Sequence, residues 1–278
     1  MITRRSFLQS SSTLAAGTAF GARNSFKIGV TDWNLRQTGK VEAVELAARI
    51  GFEGVEVSLG RKPVDSKLPL DNAEIQEQYL EAARKHKIRL AGTCLDILHV
   101  NYLKNDKLGP KWVADSIPIT KKLNARVVLL PFFGKGALTT REEMNYVADV
   151  LKELAPEAKK AGVILGLENT IWAGDNAHIL DRVGSKALQV YYDVGNSTRG
   201  GFDVVREIPW LGRDRICQIH LKDNPHYLGE GQIDFPAVMN AIRQTGFEGF
   251  ANLETDSPSK VVEADMKRNL AFVRKLMV

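Results

Sequence analysis

Eight short apolar runs alternate strictly with eight longer segments of helical periodicity, and this alternation constrains the fold more than any other feature of the chain. Short apolar runs predict buried strands, and apolar residues at three- and four-residue spacing predict helices packed on them. The strands are predicted at Lys27–Asp32, Gly54–Leu59, Arg89–Leu95, Arg126–Pro131, Val163–Asn169, Leu188–Val194, Ile216–Lys222 and Phe250–Thr255. The helices are predicted at Val41–Ile50, Ala73–Lys87, Lys111–Leu123, Arg141–Ala161, Asn176–Val183, Phe202–Leu211, Pro236–Thr245 and Lys260–Met277.

The number and length of these units predict an α/β fold, a (β/α)8 TIM barrel, over residues 24–278. The chain has 278 residues, and such a barrel typically takes about 250. A doubly wound open sheet is the alternative fold. It would be expected to carry a glycine-rich phosphate loop after an early strand, and the glycines of Gly195–Gly201 lack that spacing.

The composition is that of an ordinary globular chain, with 44% hydrophobic and 26% charged residues, which excludes disordered and collagen-like proteins. The formal net charge of +5 has no block structure, so no nucleic-acid partner is predicted. No run of 18 apolar residues occurs, so no helix is predicted to serve as a stable membrane anchor. Cys94 and Cys217 can form neither a disulfide framework nor a thiolate zinc cluster, and both are predicted to pack as small apolar groups.

Residues 1–22 have the layout of a secretory signal: a charged start, a mildly apolar segment and then small residues suited to a signal peptidase. The pair Arg4 and Arg5 ahead of a weakly apolar core resembles the twin-arginine pattern of Tat signals. A frayed N-terminal helix is the alternative. The signal interpretation predicts the Tat export machinery as a partner and a periplasmic location for the mature protein.

Chemically active side chains follow four consecutive predicted strands, the fifth to the eighth. Each comes directly after an apolar strand body; they are Glu168, Asp193, His220 and Glu254. Because TIM barrels carry their chemistry at the carboxyl ends of the strands, the four are expected to meet in one barrel mouth. Three carboxylates would repel one another there unless a cation lies between them. The set suits one divalent metal ion, Mn²⁺, Mg²⁺, Co²⁺ or Zn²⁺. The alternative is that each acid caps a strand or pairs with a nearby lysine.

Together with two flanking segments, these strand ends resemble the xylose isomerase-like superfamily of barrels, and more closely its sugar isomerase and epimerase branch. The segments are Leu228-Gly229-Glu230-Gly231-Gln232-Ile233-Asp234-Phe235 and Gly246-Phe247-Glu248-Gly249. The resemblance extends from about Phe26 to the carboxyl terminus. It implies one divalent metal ion held by the four strand-end residues, with Glu168 and Glu254 doubling as the proton-transfer pair. Since relatives often assemble as dimers or tetramers, a homo-oligomer is also an expectation.

The reaction implied by the resemblance is isomerisation or epimerisation of a small carbohydrate, a keto-sugar or related polyol. The cation lowers the pKa of the C–H beside the carbonyl, and one glutamate removes that proton to give a metal-bound cis-enediolate. The other glutamate returns a proton on the opposite face. Loss of a neighbouring hydroxyl or alkoxy group would instead make the enzyme a lyase or hydratase of 3-keto-glycosides or cyclitols. The four candidate metal ligands do not distinguish between isomerisation, epimerisation and elimination, because all three reactions share the first proton abstraction.

Further side chains are candidates for contacts with substrate, each with a structural alternative. Those with polar groups are Glu56, His99, Asn196, Lys222, His226 and Glu230. The alternatives are an ion pair for Glu56 and Lys222, a solvated loop for His226 and a turn for Glu230. Asn196 is expected near the metal. The aromatic residues Trp33, Phe132 and Phe133 could wall the pocket, because sugars stack on aromatic faces, or pack in the core.

Two rival functions fit the residues less well. The DNA-repair endonuclease branch of the superfamily uses three zinc ions and needs a histidine three residues after Asp193 and an Asp-x-His after strand seven. This chain has Asn196 and Asp234-Phe235-Pro236 at those places. A sugar-binding barrel without turnover would have no need of all four ligands.

Overall fold

The predicted strands close into one parallel barrel in the computed structural model, which describes residues 26–277. Each strand pairs with the next along the chain, and the last pairs with the first. The open-sheet alternative is therefore wrong. The strands are β1 (Lys27–Thr31), β2 (Gly54–Ser58), β3 (Arg89–Cys94), β4 (Val127–Pro131), β5 (Ile164–Glu168), β6 (Leu188–Asp193), β7 (Ile216–Leu221) and β8 (Phe250–Leu253).

Helices surround this barrel on its outer side. Those within the described residues are α1 (Glu42–Ile50), α2 (Ala73–His86), α3 (Gly109–Lys122), α4 (Arg141–Ala161), α5 (Ala173–Val183), α6 (Val194–Arg199), α7 (Val204–Leu211), α8 (Phe235–Gln244) and α9 (Val262–Leu276). Eight of them lie in the eight predicted helical segments. The ninth, α6, is a short helix that the periodicity does not predict.

Short polar and glycine signals set several helix ends. Thr140 and Glu143 form a capping box at the start of α4, where each side chain accepts a hydrogen bond from the other residue's backbone N–H. Gly51 and Gly162 end α1 and α4 in the left-handed conformation that glycine adopts without a Cβ penalty. The two glycines end their helices shortly before β2 and β5, where the chain returns to the barrel.

Apolar side chains form two separate clusters. The larger lies between the barrel wall and the surrounding helices. The smaller contains the two cysteines, and its members are Cys94, Val127, Leu129, Tyr191 and Cys217. Both thiols are free and buried, and burial raises the pKa of each. The cysteines therefore pack as small buried groups, as predicted.

The predicted export signal, residues 1–22, lies outside the described residues. Among residues 26–277, no helix has both the length and the apolar character that crossing a membrane requires.

Candidate active site

The four strand-end residues converge at the carboxyl-terminal mouth of the barrel. Glu168 and Asp193 end β5 and β6, His220 is the penultimate residue of β7, and Glu254 directly follows β8. One ligand atom from each residue lies within 4.8 Å of all the others. The prediction that these groups meet in one mouth is confirmed.

His220 is the centre of this group and is completely buried. Its Nδ1 lies 2.8 Å from Glu168 Oε1, 3.4 Å from Glu254 Oε2 and 3.8 Å from Asp193 Oδ2. Burial by itself lowers the pKa of His220, but Glu254 and Glu168 outweigh it and raise that pKa well above its ordinary value. At Glu168 burial has the opposite effect and raises the pKa of the carboxyl group to about 8, although His220 by itself lowers that pKa.

The two carboxylate oxygens of Asp193 have different roles, one in capping a helix and one in the candidate site. Oδ1 accepts a hydrogen bond from the backbone N–H of Asn196 at 2.7 Å, which caps α6 and explains why a helix starts immediately after β6. Oδ2 points toward His220 and is buried without a well-aligned hydrogen-bond donor. Although burial raises the pKa of Asp193, Lys222 and His220 more than compensate, and the pKa falls below its usual range.

Lys222 provides the balancing positive charge. Its Nζ lies 2.6 Å from Asp193 Oδ2 and donates a hydrogen bond to Glu254 Oε2. The side chain points into the interior, as strand alternation predicts, and it is 7% exposed. Of the two predicted roles for Lys222, the structure shows the ion pair that neutralises the acids.

The donor set fits a single divalent cation. Ligand atoms held about 2.0–2.2 Å from one ion can be no more than about 4.4 Å apart, so the four groups need only small movements to share one. Three carboxylates and an imidazole suit a hard or borderline metal. Asp193 Oδ2 is buried and accepts no aligned hydrogen bond, although Lys222 Nζ lies 2.6 Å away, so a bound ion could still coordinate this oxygen.

A layer of polar side chains lies one step deeper in the barrel, directly beneath the four. Three members of this layer each lie two residues before a candidate ligand in the sequence: Tyr191, Gln218 and Asn252. Asn252 Nδ2 donates to Tyr191 Oη at 2.7 Å and to Gln218 Oε1 at 2.9 Å. Glu56 on β2 completes the layer and accepts from the Tyr191 hydroxyl at 2.7 Å.

A cavity of about 750 Å³ opens above the four groups. Its wall includes Glu168, Glu254 and Lys222. Side chains from the segments that follow five further strands complete it: Trp33, Arg61, Asp96, His99, Phe133, Asn196 and Arg199. A second depression, of about 870 Å³, lies at the opposite end of the barrel and contains none of the candidate ligands. The chemistry of a TIM barrel belongs to the carboxyl-terminal mouth, so the first cavity is the candidate substrate site.

Five of the predicted pocket residues line that cavity: Lys222, described above, and Trp33, His99, Phe133 and Asn196. Trp33 Nε1 donates to Glu254 Oε1 at 3.0 Å, and its ring meets the ring of His220 edge-on at 6.0 Å. His99 stacks on Phe133 with ring centroids 6.2 Å apart, and burial lowers its pKa. Asn196 accepts from the Arg199 guanidinium through its side-chain oxygen. The rings of Trp33 and Phe133 therefore both lie at the wall of the cavity.

Four other predictions are corrected. Glu56 is fully buried below His220 and does not reach the cavity, so it cannot hydrogen-bond a substrate. Phe132 is 1% exposed and belongs to the outer core. His226 and Glu230 are exposed and absent from the cavity wall. The loop that carries these last two folds outward onto α9, where Glu230 pairs with Arg268.

Sequence reasoning missed three charged residues of the cavity wall: Arg61, Asp96 and Arg199. Asp96 accepts a hydrogen bond from Ser58 Oγ at 2.5 Å, and burial raises its pKa. Asp96 lies two residues after the end of β3 and could have been found by extending the search for strand-end acids to the first four strands. Arg61 lies in the loop after β2 and Arg199 is the last residue of α6, and neither carries a comparable signal.

The structure is therefore a closed (β/α)8 TIM barrel whose mouth carries a carboxylate and histidine cluster that could hold a divalent cation. The sequence profile of the xylose isomerase-like TIM barrel family matches residues 44–276, and the chain belongs to this family. The resemblance noted in the sequence is thereby confirmed at the level of the family.

The chain is also similar to proteins of known activity. A 2-epi-5-epi-valiolone 7-phosphate 2-epimerase from Actinoplanes sp. is 25% identical over 228 residues, covering 78% of this chain and 82% of the relative. A D-allulose 3-epimerase from Methylomonas sp. in complex with D-allulose superposes with a TM-score of 0.72 at 16% identity, covering 93% of this chain and 99% of that one. The 3-keto-D-glucoside 4-epimerase of E. coli gives a TM-score of 0.72 at 17% identity, covering 90% and 99%.

Proposed function

We propose that this enzyme is a divalent-metal-dependent epimerase or isomerase of a keto-sugar or related polyol. The observation that carries the proposal is that Glu168 and Glu254 both line the cavity while sharing one cluster of candidate metal ligands with Asp193 and His220. The similar proteins named above are sugar or cyclitol epimerases, which supports the same reaction class.

The two glutamates are held in place by different neighbours. Trp33 and Lys222 each donate to one oxygen of Glu254, and His220 contacts Glu168. A bound cation would polarise the substrate carbonyl and make the adjacent C–H more acidic. One glutamate then removes that proton, and the other returns a proton to the same carbon in epimerisation or to its neighbour in isomerisation.

A lyase or hydratase acting on 3-keto-glycosides is the second candidate. The structural similarity to a 3-keto-D-glucoside epimerase favours this substrate class. Elimination shares the first proton abstraction with epimerisation and differs in the fate of the next carbon, so the same pair of glutamates could serve both reactions.

The test combines metal analysis with a mass-resolved product screen of the purified enzyme. We expect about one divalent metal ion per chain, and products isomeric with D-allulose or with a 3-keto-D-glucoside. His220→Ala should lose both the metal and the turnover, because it removes the only nitrogen ligand of the set. A product lighter by water or an alcohol would support the lyase instead. Three zinc ions per chain, or no metal in the active wild type, would contradict the proposal.

We also propose that the enzyme acts in the periplasm after Tat export, on the basis of Arg4, Arg5 and the small residues that follow them. Replacing both arginines by lysine should keep the protein in the cytoplasm without changing its activity in a lysate. Cell fractionation and N-terminal sequencing measure this. A periplasmic pool in the double variant would contradict the Tat route.

A further inference from the structure

Glu56 makes a contact with His220 that neither packing nor substrate binding explains. Its Oε2 lies 3.0 Å from His220 Nε2, on the side of the ring opposite Nδ1, which faces the other three candidate ligands. The glutamate comes from β2 and the histidine from β7, so the contact crosses the barrel interior. Both side chains are completely buried.

We propose that Glu56 is the positioning residue for His220, accepting the Nε2 proton so that the Nδ1 lone pair is available to a divalent cation. A neutral imidazole has one N–H and one bare nitrogen, and the partner of one nitrogen decides which tautomer is present. A carboxylate acceptor also makes the opposite nitrogen a stronger donor to a metal. This inference rests on the proposed metal site and deepens it.

The surroundings of Glu56 hold its acceptor oxygen in place. Tyr191 donates its hydroxyl to the same Oε2 at 2.7 Å, and the Tyr191 ring packs against the ring of His220 with centroids 4.5 Å apart. Asn252 Nδ2 lies 3.4 Å from this oxygen. Gly29 leaves the space that Asn252 needs, since a Cβ there would lie 2.0 Å from Asn252 Oδ1. A swing of the carboxylate away from His220 would therefore break several contacts at once.

The cost of burying this glutamate also indicates a function. Glu56 Oε1 has no hydrogen-bond partner anywhere in the part of the chain that the structure describes. A buried oxygen without a partner destabilises the fold, and an apolar residue of similar size would fill the same space with less penalty. A charged acceptor is useful at this place because its neighbour is a candidate metal ligand. Since Glu56 does not line the cavity, it acts through His220 and not on the substrate.

The first test measures Zn²⁺ and Mn²⁺ affinity of Glu56→Gln by competition with a chelating dye. Glutamine keeps the size of the side chain and can still accept from Tyr191, but it can turn its amide N–H toward Nε2 and favour the wrong tautomer. We expect metal binding to weaken about 10–100-fold, the range typical of such outer partners. Glu53→Gln, three residues earlier and exposed, is the matched control and should bind metal as the wild type does.

The second test needs no variant at Glu56. In ¹⁵N-histidine wild-type protein loaded with Zn²⁺, the His220 ring should show a protonated Nε2 and a metal-shifted Nδ1, with the signal assigned through its loss in His220→Ala. A metal-bound or unprotonated Nε2 would overturn the inference, as would unchanged metal affinity in a folded Glu56→Gln. If the wild type bound no divalent cation, the proposed function itself would fail. If the wild type bound metal and turned over substrate while Glu56→Gln did the same with equal affinity, only the positioning role would fail.

Discussion

Lys222 supplies much of the positive charge that balances the carboxylates at the barrel mouth. Asp193 and Glu254 both contact its ammonium group, and Asp193 has almost no access to water. A divalent cation on the same carboxylates would supply the positive charge that lysine supplies in its absence. Strand alternation predicts that Lys222 points inward, but the sequence does not determine whether it meets a substrate or the acids, because that depends on side chains from β6 and β8.

Lys222→Met should destabilise the metal-free enzyme and make its folding stability depend on bound metal. Removing one partner of a buried ion pair typically costs about 3–5 kcal/mol, because the remaining charges lose their compensation. Urea denaturation of the chelator-treated protein should show this loss, and saturating Mn²⁺ should restore part of it. Lys40→Met, at an exposed position, is the control and should change little. An equal loss in both variants, or no recovery with Mn²⁺, would contradict this account of Lys222.

At the scale of elements, the loop between β7 and α8 shows where the sequence interpretation fails. Asp223 Oδ2 accepts from the backbone N–H groups of Gly229 and Gly231 at 3.2 and 2.9 Å. Tyr227 donates to Asp265 on α9, a contact between residues 38 positions apart. A contact between Glu230 and substrate would require the Gly-Glu-Gly segment to lie over the site. It is instead tied to α9, and no local pattern encodes contacts made over that distance.

Gly231→Ala should therefore be far more damaging than Glu230→Ala. A Cβ at position 231 would lie 2.2 Å from Asp223 Oδ1, which forces the loop to move. Glu230 is exposed and its pairing with Arg268 is a surface contact, which typically contributes about 0–1 kcal/mol. Thermal unfolding and steady-state kinetics on both variants measure this. A loss of turnover in a fully stable Glu230→Ala would show that the glutamate contacts substrate after all.

Asp32 links β1 to β2 and makes stability depend on pH. Its Oδ2 accepts from the backbone N–H groups of Gly39 and Ser58 at 2.8 and 3.0 Å, and burial raises its pKa from 3.8 to about 8. Between about pH 4 and pH 8 the native state therefore keeps a proton on Asp32 that the unfolded chain has already released. The contribution of Asp32 to stability falls as the pH rises through that window.

Asp32→Asn removes this titration. Relative to the variant, the wild type should lose up to about 1.4 kcal/mol of unfolding free energy per pH unit within the window, and the difference should level off above about pH 8. Urea titrations of both proteins from pH 5 to pH 9 provide the comparison. Parallel stability curves would show that Asp32 does not carry a shifted proton.

For the whole molecule, the alternation of apolar runs and helical segments was sufficient to predict the barrel and the side of it that carries the site. The period of two in strands then directs Glu168, Asp193, His220 and Glu254 to one mouth. The same period would have placed Tyr191, Gln218 and Asn252 one layer below. They were overlooked because no known chemistry requires those residue types at that spacing. Glu56 could not be assigned from sequence, since its partner lies across the barrel on β7.

The central claim is that Glu168 and Glu254 together move a proton on a carbon beside a carbonyl. Its most direct measurement is solvent exchange: the metal-loaded wild type and the variants Glu168→Gln and Glu254→Gln are incubated with D-allulose and with a 3-keto-D-glucoside in D₂O. Deuterium in substrate and product is then located by NMR.

We expect deuterium at the carbon beside the carbonyl in the wild-type product. Each variant should lose about 10²–10⁴-fold in turnover, which is the usual contribution of a general base. The variant that keeps the abstracting glutamate should still exchange the substrate proton without forming product, and the other should do neither. Product formed at near wild-type rates by both variants, or wild-type product without deuterium at that carbon, would contradict the claim.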